Sequence, residues 1–238
     1  AWLLAATTAL CAMGAWDDRR PLPASVRLAT ILVLCAGLQI VLLAPVTAAA
    51  WVLALALAVA LAWLVNLYNF MDGIDGLAAA QCVLAAVGLA LLAGLADPVA
   101  DRFQVLALCI GGAYLAFLFF NWPPARLFMG DAGSLSAGLL LGWLGLWGWR
   151  EGWVAPAAWL LLMSPFVIDA SWTLIARALR GARITEAHRE HLYQRLARRW
   201  GSHRRVTVAL VLMHLVWLQP LALLASLFPG KSITFLAL

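Results

Sequence analysis

Long apolar runs separated by short polar breaks dominate this chain. An apolar helix of about 20 residues crosses a bilayer. The runs therefore predict about eight membrane-spanning helices, over 1–15, 26–44, 46–68, 77–96, 103–120, 134–149, 153–179 and 206–228. Some of these runs are short, so their ends are loosely set. Pro45, Asp97-Pro98 and Arg150-Glu151-Gly152 mark tight connections. The expected fold is all-α, a polytopic membrane helix bundle forming a single integral-membrane domain over 1–238 with a basic loop at about 180–205. The chain opens Ala1-Trp2-Leu3 inside an apolar run, without Met or a basic leader. This predicts that the natural N-terminus is missing from it.

Three acidic islands interrupt the pattern: Trp16-Asp17-Asp18-Arg19-Arg20, Asn69-Phe70-Met71-Asp72-Gly73-Ile74-Asp75-Gly76, and Phe128-Met129-Gly130-Asp131-Ala132-Gly133-Ser134. A carboxylate at the centre of a membrane helix costs about 2.5–3.5 kcal/mol on insertion scales. Five of them beside glycines and asparagines point to a polar site at helix ends. With eight alternating spans, all lysines and arginines except Arg102, Arg150 and Lys231 fall on one side. The positive-inside rule makes that side cytoplasmic. The same topology puts all three islands there.

Composition agrees. Of 238 residues, 65% are hydrophobic and 11% charged, well below the roughly 25% charged in soluble domains. The basic balance, with a pI near 9.5, is accounted for by the loop bias and an anionic membrane surface, so no nucleic acid partner is expected. Cys11, Cys35, Cys82 and Cys109 lie in apolar runs without metal-site spacing and read as small hydrophobes.

In the second island Asn66, Asn69, Asp72 and Asp75 recur every three residues. Residues i and i+3 neighbour each other on a helix, so Asn66 and Asn69 share a face, and Gly73 and Gly76 then loosen the helix and let backbone approach a ligand. Amide and carboxylate oxygens are hard donors suited to Mg²⁺. In the third, Asp131 precedes the sixth span, where it complements a helix dipole and where backbone N–H groups can receive phosphate; an N-cap by Asp131 or Ser134 competes with that reading. In the first, two adjacent carboxylates repel, so one holds its proton unless a cation is near. In the basic loop, Thr185 and Glu186 suit a helix start. Leu192, Leu196 and Trp200 recur at i, i+4 and i+8 between arginines, as in a helix lying on the membrane surface. Gly138, Gly142, Gly145 and Gly148 read as a packing seam, and Trp143, Trp147, Trp149 and Trp153 as an interfacial belt. Asp169, inside the seventh span, needs a partner or a polar cavity; a role facing the site and a structural hydrogen bond both stay open.

The segments "NFMDGIDGL", "LFMGDAGSLSAG" and "AWDDRRPLP" resemble the signature loops of the polyprenyl-phosphate N-acetylhexosamine-1-phosphate transferases. Ala187-His188-Arg189-Glu190-His191-Leu192-Tyr193 is similar to that family's histidine loop. His188 stands where many members have aspartate. The consecutive histidines of the phospho-MurNAc-pentapeptide branch are missing, which favours the envelope-polysaccharide branch that initiates O-antigen and lipopolysaccharide synthesis. Two N-terminal helices and a basic cytoplasmic loop usual in the family are also missing. The resemblance implies transfer of a sugar-1-phosphate from a UDP-sugar to polyprenyl phosphate with release of UMP, at the cytoplasmic face of a bacterial plasma membrane. Mg²⁺ is the implied cofactor, with Mn²⁺ an alternative. By motif, Asn69 and Asp131 adjoin the metal, Asp75 contacts uracil, Asp17 and Asp18 orient or deprotonate the lipid phosphate, and His188, Arg189 and His191 meet the diphosphate. Asp72 joins Asp17, Asp18 and His191 as a catalytic candidate, and Asn66 and Asn121 join the substrate-binding candidates. A homodimer is compatible with such a chain.

Rival classes fit less well. A secondary transporter should carry its polar groups near the midplane of repeated halves, and no internal repeat is visible. A CDP-alcohol phosphotransferase expects an arginine soon after Asp-Gly, whereas Asp75-Gly76 leads into Leu77-Ala78-Ala79-Ala80. A non-catalytic membrane scaffold is the remaining alternative.

Overall fold

The computed structural model describes the chain except residues 98, 183–187, 229, 231 and 238. The described residues form helices α1 (Trp2–Asp17), α2 (Ala24–Leu43), α3 (Ala48–Phe70), α4 (Leu77–Ala96), α5 (Asp101–Asn121), α6 (Gly130–Arg150), α7 (Pro156–Leu179), α8 (Leu192–Trp200), α9 (His203–Met213), α10 (Gln219–Leu227) and α11 (Ser232–Leu236), with no strand among them. A five-residue π segment, His214–Leu218, joins α9 to α10. Among the described residues six helices are long and apolar enough to cross a membrane: α2, α3, α4, α5, α7 and the continuous His203–Leu227 stretch. The predicted spans 1–15 and 134–149 coincide with α1 and α6, which fall outside this group. Helix α1 has only 16 residues, and α6 is diluted by glycine and serine and carries Asp131 and Arg150.

The protein is thus a polytopic all-α membrane protein. Ala and Leu dominate its helices, and both are strong helix formers. Large apolar side chains remain exposed around the spans, including Val33 (70%) and Phe119 (80%), as a lipid-facing surface requires. Of the cysteines, Cys35 and Cys82 are buried, whereas Cys11 and Cys109 are exposed.

Two compact units emerge, one of residues 1–70 and 129–143, the other of 71–128 and 144–238. In the first, α2 packs on α3, α1 packs on α2, and the start of α6 lies on α3. Gly138 and Gly142 let that start approach the Val65 backbone and Leu61, so the expected small-residue seam packs here. Gly14 is required by a second close approach. A Cβ there would strike the backbone of Asp131 and Ala132. The bare α-carbon thereby brings the acidic end of α1 beside the start of α6.

In the second unit α4 packs extensively along α5. Pro165 interrupts α7 and frees the Leu161 carbonyl, which the Ser164 hydroxyl takes at 2.8 Å. Gln81 on α4 donates to the Leu162 carbonyl and meets His214 Nε2, both at 2.8 Å. Gln219 donates to the Leu84 carbonyl at 2.8 Å. Such bridges satisfy buried polar groups where no water can. Of the four tryptophans read as a belt, Trp147 and Trp153 instead form an aromatic cluster with Phe103, with ring centroids 5.4–5.7 Å apart.

Candidate functional site

The first and third acidic islands, together with Asn69, meet inside the first unit. Helix α1 ends at Asp17, whose carboxylate accepts the Leu22 N–H at 2.5 Å and pairs with Arg27 of α2 at 2.6 Å. The same guanidinium nitrogen reaches Asp131 Oδ2 at 3.2 Å. Asn69, on the last turn of α3, donates from one amide nitrogen to Asp131 Oδ1 at 2.8 Å and to Ser134 Oγ at 2.9 Å. Asp18 is exposed, and its Oδ1 accepts the Asp131 N–H at 3.0 Å.

At the start of α6 both candidate caps have other partners. Asp131 lies within the first turn and turns its side chain to Asn69 and Arg27. Ser134 returns its hydroxyl to the Gly130 carbonyl at 2.9 Å. Of the backbone N–H groups at this helix start, that of Asp131 is given to Asp18. Arg19 and Arg20 do not balance the aspartates. Arg19 bonds the Ala15 carbonyl and Arg20 lies over the Trp16 ring. The counter-ion is Arg27, which sequence reasoning counted only as a topological charge.

Two carboxylates, Asp17 and Asp131, therefore share one guanidinium, and a third, Asp18, adjoins Asp131. Burial pushes the Asp17 carboxyl up, but the Leu22 N–H and Arg27 outweigh it and hold Asp17 below the usual carboxylate range. Asp131 moves the other way. Burial, then Asp17 and Asp18, raise it against the pull of Asn69 and Arg27. An excess of hard, anionic oxygen suits a divalent cation. Among the described residues no three His, Cys, Asp or Glu side chains are arranged to enclose a metal. The donor set instead fits the Mg²⁺ habit of taking one or two carboxylates and completing its shell with substrate phosphate and water. Asn66, one turn before Asn69, is half-buried and turns its amide back to the Ala62 carbonyl at 2.7 Å.

The remaining candidates lie in the second unit. Because α3 ends at Phe70, the three-residue spacing continues past the helix, and Asp72 and Asp75 sit in the turn before α4. Asp72 is half-buried. Asp75 Oδ2 accepts the Ala125 N–H at 3.2 Å, and Oδ1 lies 3.3 Å from His203 Nδ1. Its carbonyl accepts the Thr207 hydroxyl at 2.9 Å. Asn121 is 3% exposed. It accepts the Gly76 N–H at 2.9 Å and donates to the Leu127 carbonyl at 2.8 Å. Both ends of its amide are committed to backbone, so Asn121 braces the loops around Asp75. A cleft of about 810 Å³ joins Asp75 to Arg189, Gln194, Arg198, His203 and Arg204, within the usual size range of ligand pockets. His203 and Thr207 were not singled out from sequence; their positions mark only the start of the last span.

The histidine loop divides by exposure. Arg189 is exposed, whereas His191 is 3% exposed and precedes α8. The His188 and His191 ring centroids are 4.9 Å apart, and His191 stacks on Tyr193. The two histidines share a side as expected, but through an irregular segment rather than a helical turn. Burial, then Arg177 and His191, hold His188 below its ordinary pKa, and its Nδ1 is buried without a hydrogen-bond partner. His191, a catalytic candidate from sequence, occupies an interior position beside the His188 and Tyr193 rings. The helix over Leu192, Leu196 and Trp200 forms as expected, while Thr185 and Glu186 lie outside the described residues.

The model of glycosyl transferase family 4 matches residues 1–148, a stretch that holds all three acidic islands, and the chain belongs to that family. A Bacillus subtilis protein named "Probable undecaprenyl-phosphate N-acetylglucosaminyl 1-phosphate transferase" is 30% identical over 163 residues, covering 65% of this chain and 44% of the relative. Decaprenyl-phosphate N-acetylglucosaminephosphotransferase of Mycolicibacterium smegmatis is 30% identical over 168 residues, 63% of this chain and 41% of the relative. Phospho-N-acetylmuramoyl-pentapeptide-transferase of Bartonella quintana is 46% identical over 90 residues, 32% of this chain and 25% of the relative. The chain thus spans less than half the length of these relatives.

Proposed function

We propose that this chain carries the catalytic region of an enzyme that transfers N-acetylhexosamine-1-phosphate from a UDP-sugar to a polyprenyl phosphate. An oxygen of the lipid phosphate bonds to the sugar-linked phosphorus. The bond from that phosphorus to the bridging oxygen breaks, and UMP departs. Membership of the family supports this reading, as do the relatives' names. The observation that carries it is the Asp131 carboxylate, held by Asn69 and Arg27 beside the exposed Asp18.

Asn69 and Asp131 would hold Mg²⁺, with Mn²⁺ a substitute. When bound, the ion neutralises diphosphate and leaving-group charge. Positioning and electrostatics dominate phosphoryl transfer, and the chain's own residues divide that work. Asp17 is buried and fixes Arg27. Asp18 remains exposed to orient the lipid phosphate or take its proton. Asp75 and its basic cleft suit the uridine end of the donor, and Arg189 offers a planar donor pair to phosphate. Asp72 is assigned a supporting charge in the same turn as Asp75.

The loop charge bias supports an active site on the cytoplasmic face of a bacterial plasma membrane. The lack of consecutive histidines supports the envelope-polysaccharide branch over the pentapeptide branch. Exchange of labelled UMP into a panel of UDP-N-acetylhexosamines, in membranes holding the full-length protein, tests the reading. Exchange into at least one donor is expected. Exchange into none would favour the non-catalytic scaffold.

A further inference from the structure

Two acids of the second unit had no place in the reading above: Asp169, within α7, and Glu190, in the histidine loop. The Asp169 side chain is 8% exposed. Its Oδ1 accepts the Leu192 N–H at 2.7 Å and its Oδ2 the Tyr193 N–H at 3.0 Å. These are the first two amides of α8, which have no partner within their own helix. A carboxylate placed there also meets the positive end of the helix dipole. His191 Nδ1 lies 3.7 Å from the same carboxylate, and Thr173 donates its hydroxyl to Oδ1 at 3.2 Å. Further along the same stripe of α7, Arg177 and Arg180 bond Glu190, the latter at 2.7 Å. Positions 169, 173, 177 and 180 follow helical spacing, so one face of α7 grips residues 190–193 through acid and base in turn.

The grip reaches the second acidic island. Tyr193 is 4% exposed, and its hydroxyl lies where a Cβ of Gly73 would stand. Gly73 separates Asp72 from Ile74 and Asp75. The Asp169 carboxylate is thereby connected through the start of α8 to the turn that carries Asp72 and Asp75, and to the rings of His188 and His191.

We propose that Asp169 is a positioning residue of the transferase: it caps α8 from another helix and so sets the histidine loop and the Asp72–Asp75 turn in register. The catalytic part of this inference rests on the proposed transfer reaction; the structural part does not.

Amide hydrogen exchange of the full-length protein in detergent, without substrate, tests the structural part. In Asp169→Ala, exchange at Leu192 and Tyr193 should quicken by about fivefold or more, the loss typical of a missing cap, while amides of α4 keep wild-type protection. Unchanged protection at those two amides would overturn the proposal. Turnover tests the rest. Asp169→Ala should lower kcat about 100-fold, the cost of misplacing groups by about an ångström, with little change in KM for the donor. Asp169→Asn, which keeps an acceptor for one amide, should recover much of that loss. Wild-type kcat in Asp169→Ala with its arm released would overturn the positioning role.

If Asp169→Ala loses protection throughout, a second pair decides. Gly73→Ala should lower turnover by displacing Tyr193, and Gly73→Ala with Tyr193→Phe should restore it. Failure of that restoration would overturn the link to the island. Absence of turnover by wild-type protein with every donor would count against the transfer reading, while amide exchange would still decide whether Asp169 holds the arm.

Discussion

Asp17 and Asp18 are neighbours in sequence but differ in surroundings. Asp17 is buried and bound to Leu22 and Arg27; Asp18 is exposed and accepts the Asp131 N–H at 3.0 Å. Asp18→Asn should therefore lower kcat by about 100-fold, within the range of a lost general base, and leave donor KM near wild type. Asp17→Asn should in addition lower the melting temperature, because Arg27 loses its closer partner. Asp75→Ala belongs to the other cleft and should raise donor KM about tenfold, the size of one lost hydrogen bond to a charged group. Steady-state kinetics on the three variants checks this division, and equal KM effects from Asp18 and Asp75 would contradict it. The five island aspartates were legible in sequence because acids in so apolar a chain are costly. Arg27 was not, since its second partner lies 104 residues away and no local pattern records such a pairing. Asn121 was likewise visible by type, but the commitment of both amide ends to backbone was not.

Among the elements, the predicted spans fall on helices because apolar runs and proline breaks act locally, while six of the described helices are long and apolar enough to cross a membrane. At the second island the helix ends where the glycines begin: α3 stops at Phe70, so Asn66 and Asn69 lie on it while Asp72 and Asp75 lie beyond. The arm before α8 gives a test at this scale. His191 is interior and stacks between His188 and Tyr193, so His191→Ala should reduce turnover more than His188→Ala; the reverse order would place the chemistry on His188. Arg189→Lys should also be costly, since an ammonium cannot reproduce a bidentate phosphate contact. Helix α2 offers a stability test independent of function. Ala44, its C-cap, has φ of +43°, in the left-handed region that costs a non-glycine residue about 1–2 kcal/mol. Ala44→Gly should stabilise the protein by about 1 kcal/mol after the entropy cost of glycine, read as a higher melting temperature. An unchanged or lower value would show that the site does not hold this strain.

For the whole molecule, charge bias and acidic islands led to one family, and the match over residues 1–148 agrees. The account stands on Asp131 as the carboxylate that serves a phosphate-bound metal. Asp131→Asn should abolish transfer, by about 100-fold or more, without loss of membrane insertion, and raised Mg²⁺ should not restore it. Wild-type activity of the variant at low Mg²⁺ would remove Asp131 from the metal site. The most direct measurement of the central claim follows the phosphorus itself. A UDP-N-acetylhexosamine labelled at the β-phosphate is supplied to membranes containing the full-length protein and polyprenyl phosphate, and the label is traced. The account predicts that label and sugar enter the lipid together while UMP is released. Sugar in the lipid with the label left behind in UDP would contradict it.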